Sequence, residues 1–177
     1  RRELVKLKAS TAQSLGTKAR GVLTEFTKLI SRIEKQVNEI IRAEPTWQEL
    51  RQRLQTEPGV GPVVAAHLVE VLHRYNFKSS DALVAHTGLD PRPYESGQKI
   101  GRRRLTHHGD SALRSLLYLA AMTACRDRRW RAVYQTQLAK GLSSTAALVV
   151  IARKLARIAF TLFRTGQTYD PGRMRIA

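Results

Sequence analysis

Thr56-Glu57-Pro58-Gly59-Val60-Gly61-Pro62 opens the stretch that decides the fold, and an apolar run from Val63 to about His73 follows it. Gly88-Leu89-Asp90-Pro91-Arg92-Pro93-Tyr94-Glu95-Ser96-Gly97-Gln98-Lys99 comes next, then Gly101-Arg102-Arg103-Arg104. Glycines at 59 and 61 suit a tight turn, and Pro62 suits the first position of the helix that follows. Upstream, Thr46 is a candidate N-cap for a short helix ending near Gln55, with Glu49 at the capping-box position. Two short helices around Gly59-Val60-Gly61 read as a helix-hairpin-helix, with Val60 packed inward. Exposed N–H groups at such a helix start attract phosphate, which makes Gly59 and Gly61 candidate nucleic-acid contacts. Basic residues usually follow the second glycine in DNA-binding hairpins, whereas Pro62, Val63 and Val64 stand here. A structural brace is therefore the competing reading.

From this centre the helical pattern extends both ways. Residues 1–44 lack proline, and apolar residues recur in steps of three and four at Leu15, Ala19, Val22, Phe26, Leu29, Ile33, Val37 and Ile40. The segment is expected to be a long helical arm. It is either a coiled coil for self-association or a helix packed on its own domain. Gly16 and Gly21 weaken it and are candidate break points. Pro45 closes the arm, so the expected division is 1–44 and 45–177.

Ser79-Ser80-Asp81 can cap a helix over 82–87 that Gly88 stops. No helical period runs from Leu89 to Leu105, so a loop is expected there, with room for a short hairpin near 99–104. Asp110 or Ser111 starts a helix to about Cys125. A short helix over 131–139 follows. Ser143 or Ser144 caps a last one, which stops at Gly166, and the tail from Gln167 is expected to fray. The fold class is mainly α: a helical arm plus a compact helical domain.

Lys and Arg total 31 against 14 Asp and Glu, a formal charge of +17, and the sequence pI is about 11.0. Such an excess favours polyanions over neutral partners. No run of about 18 uncharged apolar residues suggests a membrane span. A single cysteine, Cys125, excludes an internal disulfide framework and suits a reducing cytoplasm. It is expected to be a buried structural thiol. His67, His73, His86 and the pair His107-His108 lack zinc-ligand spacing, so no metal site is expected within the chain. Arg126, Arg128, Arg129 and Arg131 surround Trp130. That group is either a stacking surface for nucleic acid or a solvated face over a buried ring. Arg153, Lys154, Arg157 and Arg164 read as a solvated face of the last helix.

Ser96 is the residue with the sharpest chemistry. Gly97 removes bulk beside its hydroxyl, and Arg92, Lys99, Arg102, Arg103 and Arg104 surround it in sequence with Glu95 as the only acid. Arginines pair bidentately with phosphate oxygens and stabilise charge that develops during phosphoryl transfer. A serine hydroxyl among them can form a covalent phosphoester, although Ser-Gly is also common in ordinary loops.

From Pro58 to about Pro171 the sequence resembles the C-terminal transposase domain of the IS110/IS116/IS902 insertion-sequence family. Pro58-Gly59-Val60-Gly61-Pro62, Phe77-Lys78-Ser79, Gly88-Leu89-Asp90-Pro91-Arg92, Glu95-Ser96-Gly97, Gly101 to Thr106 and Gly109 to Arg114 carry the resemblance. A basic helical segment upstream is similar too, and pilin-gene inversion proteins share the group. The resemblance implies strand exchange through a phosphoserine–DNA intermediate, with Ser96 as nucleophile and Arg92, Lys99, Arg102, Arg103 and Arg104 as phosphate ligands. It also implies an upstream RuvC-like domain whose acidic DEDD tetrad holds Mg²⁺, homo-oligomeric assembly, nucleoid association and, in some members, a guide RNA. No such tetrad is evident here, so the chain is expected to be a catalytically incomplete half. His107-His108 departs from the basic residue commoner in the family. The alternatives are a non-catalytic helix-hairpin-helix DNA-binding module or an oligomerisation module.

Overall fold

The computed structural model describes residues 1–92, 104–106 and 108–173; the side chains of Arg92 and Arg104 fall outside the description. The chain is mainly α and divides into two units, Arg1–Gln48 and Glu49–Ala177.

The first unit holds α1 (Arg2–Leu15) and α2 (Arg20–Ala43), joined by a 3-10 turn at Gly16–Ala19. Gly16 takes φ 54° at the C-cap of α1, a conformation that glycine adopts without steric cost. The single long stripe expected from sequence is therefore cut at the first of the two glycines, while Gly21 lies inside α2. Arg1 Nε donates to the Glu34 carboxylate, and Lys8 Nζ donates to Thr27 Oγ1 at 2.7 Å. These pairings make the two helices antiparallel neighbours. The stripe splits as a result. Ala19 is buried and Phe26 and Ile33 are half-buried, whereas Leu15, Val22, Leu29, Val37 and Ile40 remain exposed.

The second unit begins within α3 (Pro45–Leu54), so the boundary falls inside a helix rather than at Pro45. Pro45 does close the arm: α2 ends at Ala43 and Glu44 is extended, as the residue before a proline tends to be, while Pro45 itself takes the first helical position of α3, where its missing N–H costs nothing. Trp47 and Gln48 donate instead to the Glu44 carbonyl at 3.1 and 3.0 Å. Thr46 is thus inside the first turn, and its hydroxyl bonds to the Glu44 carboxylate at 3.2 Å rather than capping. A turn leads to α4 (Pro62–Arg74), and α5 (Ser80–Thr87) follows with Ser79 as N-cap. Next come α6 (Ser111–Ala124), capped by Asp110, and α7 (Arg128–Ala139), capped by Asp127 and starting three residues earlier than expected. Last is α8 (Ser144–Thr165), capped by Ser143 and ended by Gly166 at φ 69°.

α8 is the centre of this unit and packs on α4, α5, α6 and α7. Its buried stripe is Ala147, Leu148, Ile151, Ala152, Leu155, Ala156, Ala159 and Leu162. The alanines matter because α6 presents Ala120, Ala121 and Ala124 as further buried residues. Small side chains on both helices allow close backbone approach, while Leu113, Leu117, Ile151 and Leu155 supply the apolar area.

The tail differs from the sequence reading, and one of its alternatives is decided at a ring. Residues beyond Gly166 do not simply fray: Tyr169 N–H donates to Thr56 Oγ1 at 2.8 Å, and Pro171–Arg173 form a 3-10 turn. Trp130 is 0% exposed. It is a core residue between Arg129 and Arg131, and of the two readings of that group the buried ring is the one observed. Cys125 is half-buried, and burial pushes its thiol up. No helix among the described residues is long and apolar enough to cross a membrane.

Candidate nucleic-acid interface

The serine-bearing segment leaves and re-enters the domain through a narrow neck. β1 (Pro91–Arg92) pairs antiparallel with β2 (Arg104–Leu105), in the register Pro91 to Leu105 and Arg92 to Arg104. Thr106 N–H donates to the Asp90 carbonyl at 3.1 Å and extends the ladder inward by one rung. The short hairpin expected near 99–104 lies, except for Arg104, outside the described residues; the ladder described is at the two feet of the segment. Ser96, Lys99, Arg102 and Arg103 lie outside the described residues, and so does His107. Of Arg92 and Arg104, the backbone pairing alone is described.

What holds the neck can be read residue by residue. Gly88 closes α5 in the left-handed region at φ 68°. Buried Thr87 donates its hydroxyl to the Val84 carbonyl at 2.6 Å and accepts Leu89 N–H at 3.2 Å. Arg114 of α6 donates to the Thr87 carbonyl at 3.0 Å. On the return side, Asp110 N–H donates to the His86 carbonyl at 2.8 Å. Gly109 sits so close to that carbonyl, at φ 119°, that a Cβ would lie 2.1 Å from its oxygen. Both feet are therefore tied to the end of α5.

Asp110 has a double role. Its Oδ1 accepts Ala112 N–H at 2.7 Å and Leu113 N–H at 2.9 Å, and its Oδ2 lies 3.1 Å from His67 Nε2 on α4. Burial pushes its carboxyl upward. The Leu113 N–H, the His67 ring and the Ala112 N–H outweigh that, so it sits below its ordinary value. From α8, Arg153 is lowered by burial and by neighbouring Arg157, against the attraction of Asp90 and Asp81. Arg157 pairs with Asp81 at 2.9 Å. His67, Arg114 and Arg153 were not legible as partners of this loop. Only Asp110 carried a signal, as a cap.

The turn between α3 and α4 divides the two glycines named from sequence. Gly59, at φ 87°, packs on α6, where a Cβ would stand 2.2 Å from the Ala120 carbonyl oxygen and 2.9 Å from Ala124 N. Its need for glycine is thus a packing need. Gly61 caps α4 in extended geometry without a side-chain cap bond, and a Cβ there would meet nothing within 4 Å. The open side of the turn is therefore at Gly61. Val60 is buried, as expected.

Beneath the turn lies Glu57, 1% exposed, with both carboxylate oxygens buried and without a hydrogen-bond partner. Burial pushes its carboxyl well above the ordinary range. Among the described residues no three His, Cys, Asp or Glu side chains converge as metal ligands do.

The fold and the neck define a class: a basic, mainly helical domain with a short two-stranded ladder at Pro91–Arg92 and Arg104–Leu105. Residues 51–135 match the model of the Transposase IS116/IS110/IS902 family, and through this domain the chain belongs to that family. It is 30% identical over 120 residues to the insertion element IS116 uncharacterized 44.8 kDa protein of Streptomyces clavuligerus, covering 67% of this chain and 30% of the relative. It is 31% identical over 140 residues to the insertion element IS110 uncharacterized 43.6 kDa protein of Streptomyces coelicolor, covering 78% and 34%. The transposase for insertion sequence element IS1111A of Coxiella burnetii is 30% identical over 178 residues, covering 96% and 49%. The chain thus spans between 30% and 49% of the length of these relatives.

Proposed function

We propose that this chain is the serine-bearing part of a DNA transposase or site-specific recombinase. The observation that carries the reading is the neck. A two-rung ladder and the Asp90–Thr106 bond hold together the feet of the one segment that concentrates Arg92, Ser96, Lys99 and Arg102 to Arg104. In the proposed step, Ser96 Oγ attacks a backbone phosphorus of DNA. A serine–phosphorus bond forms, the bond from phosphorus to one strand oxygen breaks, the hydroxyl proton passes to a base, and the leaving oxygen takes up a proton. Attack by the hydroxyl of another strand end reverses these changes and completes the exchange. The arginines and Lys99 bind the non-bridging oxygens, whose charge rises in the transition state. Gly61, at the open side of the turn, adds a backbone contact to phosphate; Gly59 supports it from within.

Magnesium would enter through an upstream RuvC-like domain with a DEDD tetrad. Among the described residues no such ligand group is found. Homo-oligomerisation through the exposed Val22, Leu29, Val37 and Ile40 of α2 belongs to the same proposal, as do guide-RNA use and a nucleoid location in the cytoplasm.

The test is Ser96→Ala in the intact enzyme. Recombination should be abolished while DNA affinity stays nearly unchanged, because one hydroxyl is a chemical step and affinity rests on many phosphate contacts. Wild-type recombination by this variant, or a phosphoserine adduct mapped to another residue, sinks the assignment.

A further inference from the structure

At the outer side of α5, three rings meet on the surface. Tyr75 and His86 have centroids 4.6 Å apart, Phe77 and His86 5.3 Å, and Tyr75 and Phe77 5.9 Å. Phe77 N–H donates to the Tyr75 carbonyl at 3.1 Å, a tight turn that sets both rings beside the His86 imidazole. Phe77 and His86 are half-buried and make the floor. Tyr75 is 40% exposed. The Arg74 guanidinium lies 5.6 Å from the Tyr75 centroid and also pairs with Glu70 at 3.1 Å. Exposed Lys78 follows in the chain.

None of the three rings is among the fully buried residues of the core. Nor is the cluster remote from the loop. The His86 carbonyl receives Asp110 N–H, the bond that fixes the return side of the neck. An exposed ring on an aromatic floor, flanked by cations, has the chemistry of a base-stacking platform: the ring takes the π-face of a base and the cations take its phosphate.

We infer that Tyr75, Phe77 and His86 form a stacking platform for an unpaired base of DNA at the foot of the serine loop. The choice of DNA rests on the recombinase reading above; moving a strand from one partner to another separates it from its complement and leaves bases unpaired. Stacking of this kind is indifferent to sequence, since every base offers a π-face. The platform therefore binds single strand over duplex without selecting a motif.

The test titrates this chain with a single-stranded DNA carrying one 2-aminopurine, with the same sequence as duplex, and with the same sequence as RNA. Binding should quench the 2-aminopurine in the single strand. Tyr75→Ala should relieve the quenching and weaken single-strand affinity about tenfold, the loss of roughly one base–aromatic stack. Tyr75→Phe should keep both, and Tyr75→Leu, which retains apolar bulk without a ring, should behave like the alanine variant. Duplex affinity should not move. Unchanged quenching and single-strand affinity in helical, folded Tyr75→Ala and Tyr75→Leu overturn the platform. A larger loss on RNA than on DNA overturns the choice of occupant. Failure of the recombinase reading looks different: neither DNA form binds wild type, or Ser96→Ala still recombines.

Discussion

His67 Nε2 and Asp110 Oδ2 stand 3.1 Å apart and join the middle of α4 to the N-terminus of α6. The bond stabilises by more than its own geometry suggests, because the same carboxylate caps α6 through two backbone N–H groups. Asp110→Ala should cost about 1–2 kcal/mol, the loss of a good N-cap. Asp110→Asn should cost less, because an amide oxygen still caps. The pH dependence follows from the lowered carboxyl. Its contribution is present above the unfolded carboxylate value near 3.9 and is lost as pH falls through the folded value. Urea denaturation between pH 7 and pH 3 should therefore show a shallower acid loss in Asp110→Asn than in wild type.

Glu57 gives the opposite sign. Its folded carboxyl is raised, so the folded state holds the proton more tightly than the unfolded chain does. The stability this confers is complete below the unfolded value near 4.3, and it declines as pH rises toward the folded value. Glu57→Gln removes the titration while keeping the shape. The variant should match wild type near pH 4 and become the more stable of the two at pH 7 and 8. Equal slopes in the two proteins would contradict the protonated, buried state.

The two glycines of the α3–α4 turn should respond differently to one methyl group. Gly59→Ala forces a Cβ to 2.2 Å from a backbone oxygen at a positive φ, and neither helix can yield cheaply. A loss of about 3 kcal/mol or more is expected, on the scale of overpacking with backbone strain. Gly61→Ala adds its methyl in open space at φ −81° and should change stability by less than about 1 kcal/mol, in either direction. Thermal melts of both variants decide this. If both are tolerated, the contact between the turn and α6 is looser than described.

Charge at the loop can be measured separately from chemistry. Each phosphate neutralised contributes about −0.9 to the slope of log affinity against log salt on duplex DNA. Replacing Arg102, Arg103 and Arg104 together with alanine should flatten that slope and leave the helical signal intact. A slope identical to wild type removes this loop from the duplex interface.

The helices were legible because caps and stripes are local. Ser79, Asp110, Ser143 and Gly166 end or begin helices as their side chains or φ values dictate. Pro45 marked the end of α2 as read, but that it also opens α3 was missed, because proline serves equally at a helix start and after a helix end. The fold-back of α1 was half legible. Gly16 signalled a break, but the apolar stripe continued through it, and nothing local says that the chain reverses. The site was the least legible part. Residues 89–105 announced a loop, yet the rungs that close it join positions far apart in sequence. The supports from His67, Arg114 and Arg153 come from three other helices. The reason for Gly59 was hidden too, because a positive φ in a turn looks the same from sequence whether the space beside it is solvent or a helix backbone.

The ladder at Pro91–Arg92 and Arg104–Leu105 has one more consequence. Its feet are fixed by backbone pairing and by contacts to α5, so the helices hold the two ends of the intervening segment at a set spacing. Closing a longer segment on a neck that already exists costs only about 0.6 kcal/mol for each doubling of length. An insertion beside Ser96 should therefore leave the helices beneath packed as they are. A chimaera carrying a relative's segment on these feet is likewise expected to fold, which a thermal melt of the chimaera would check.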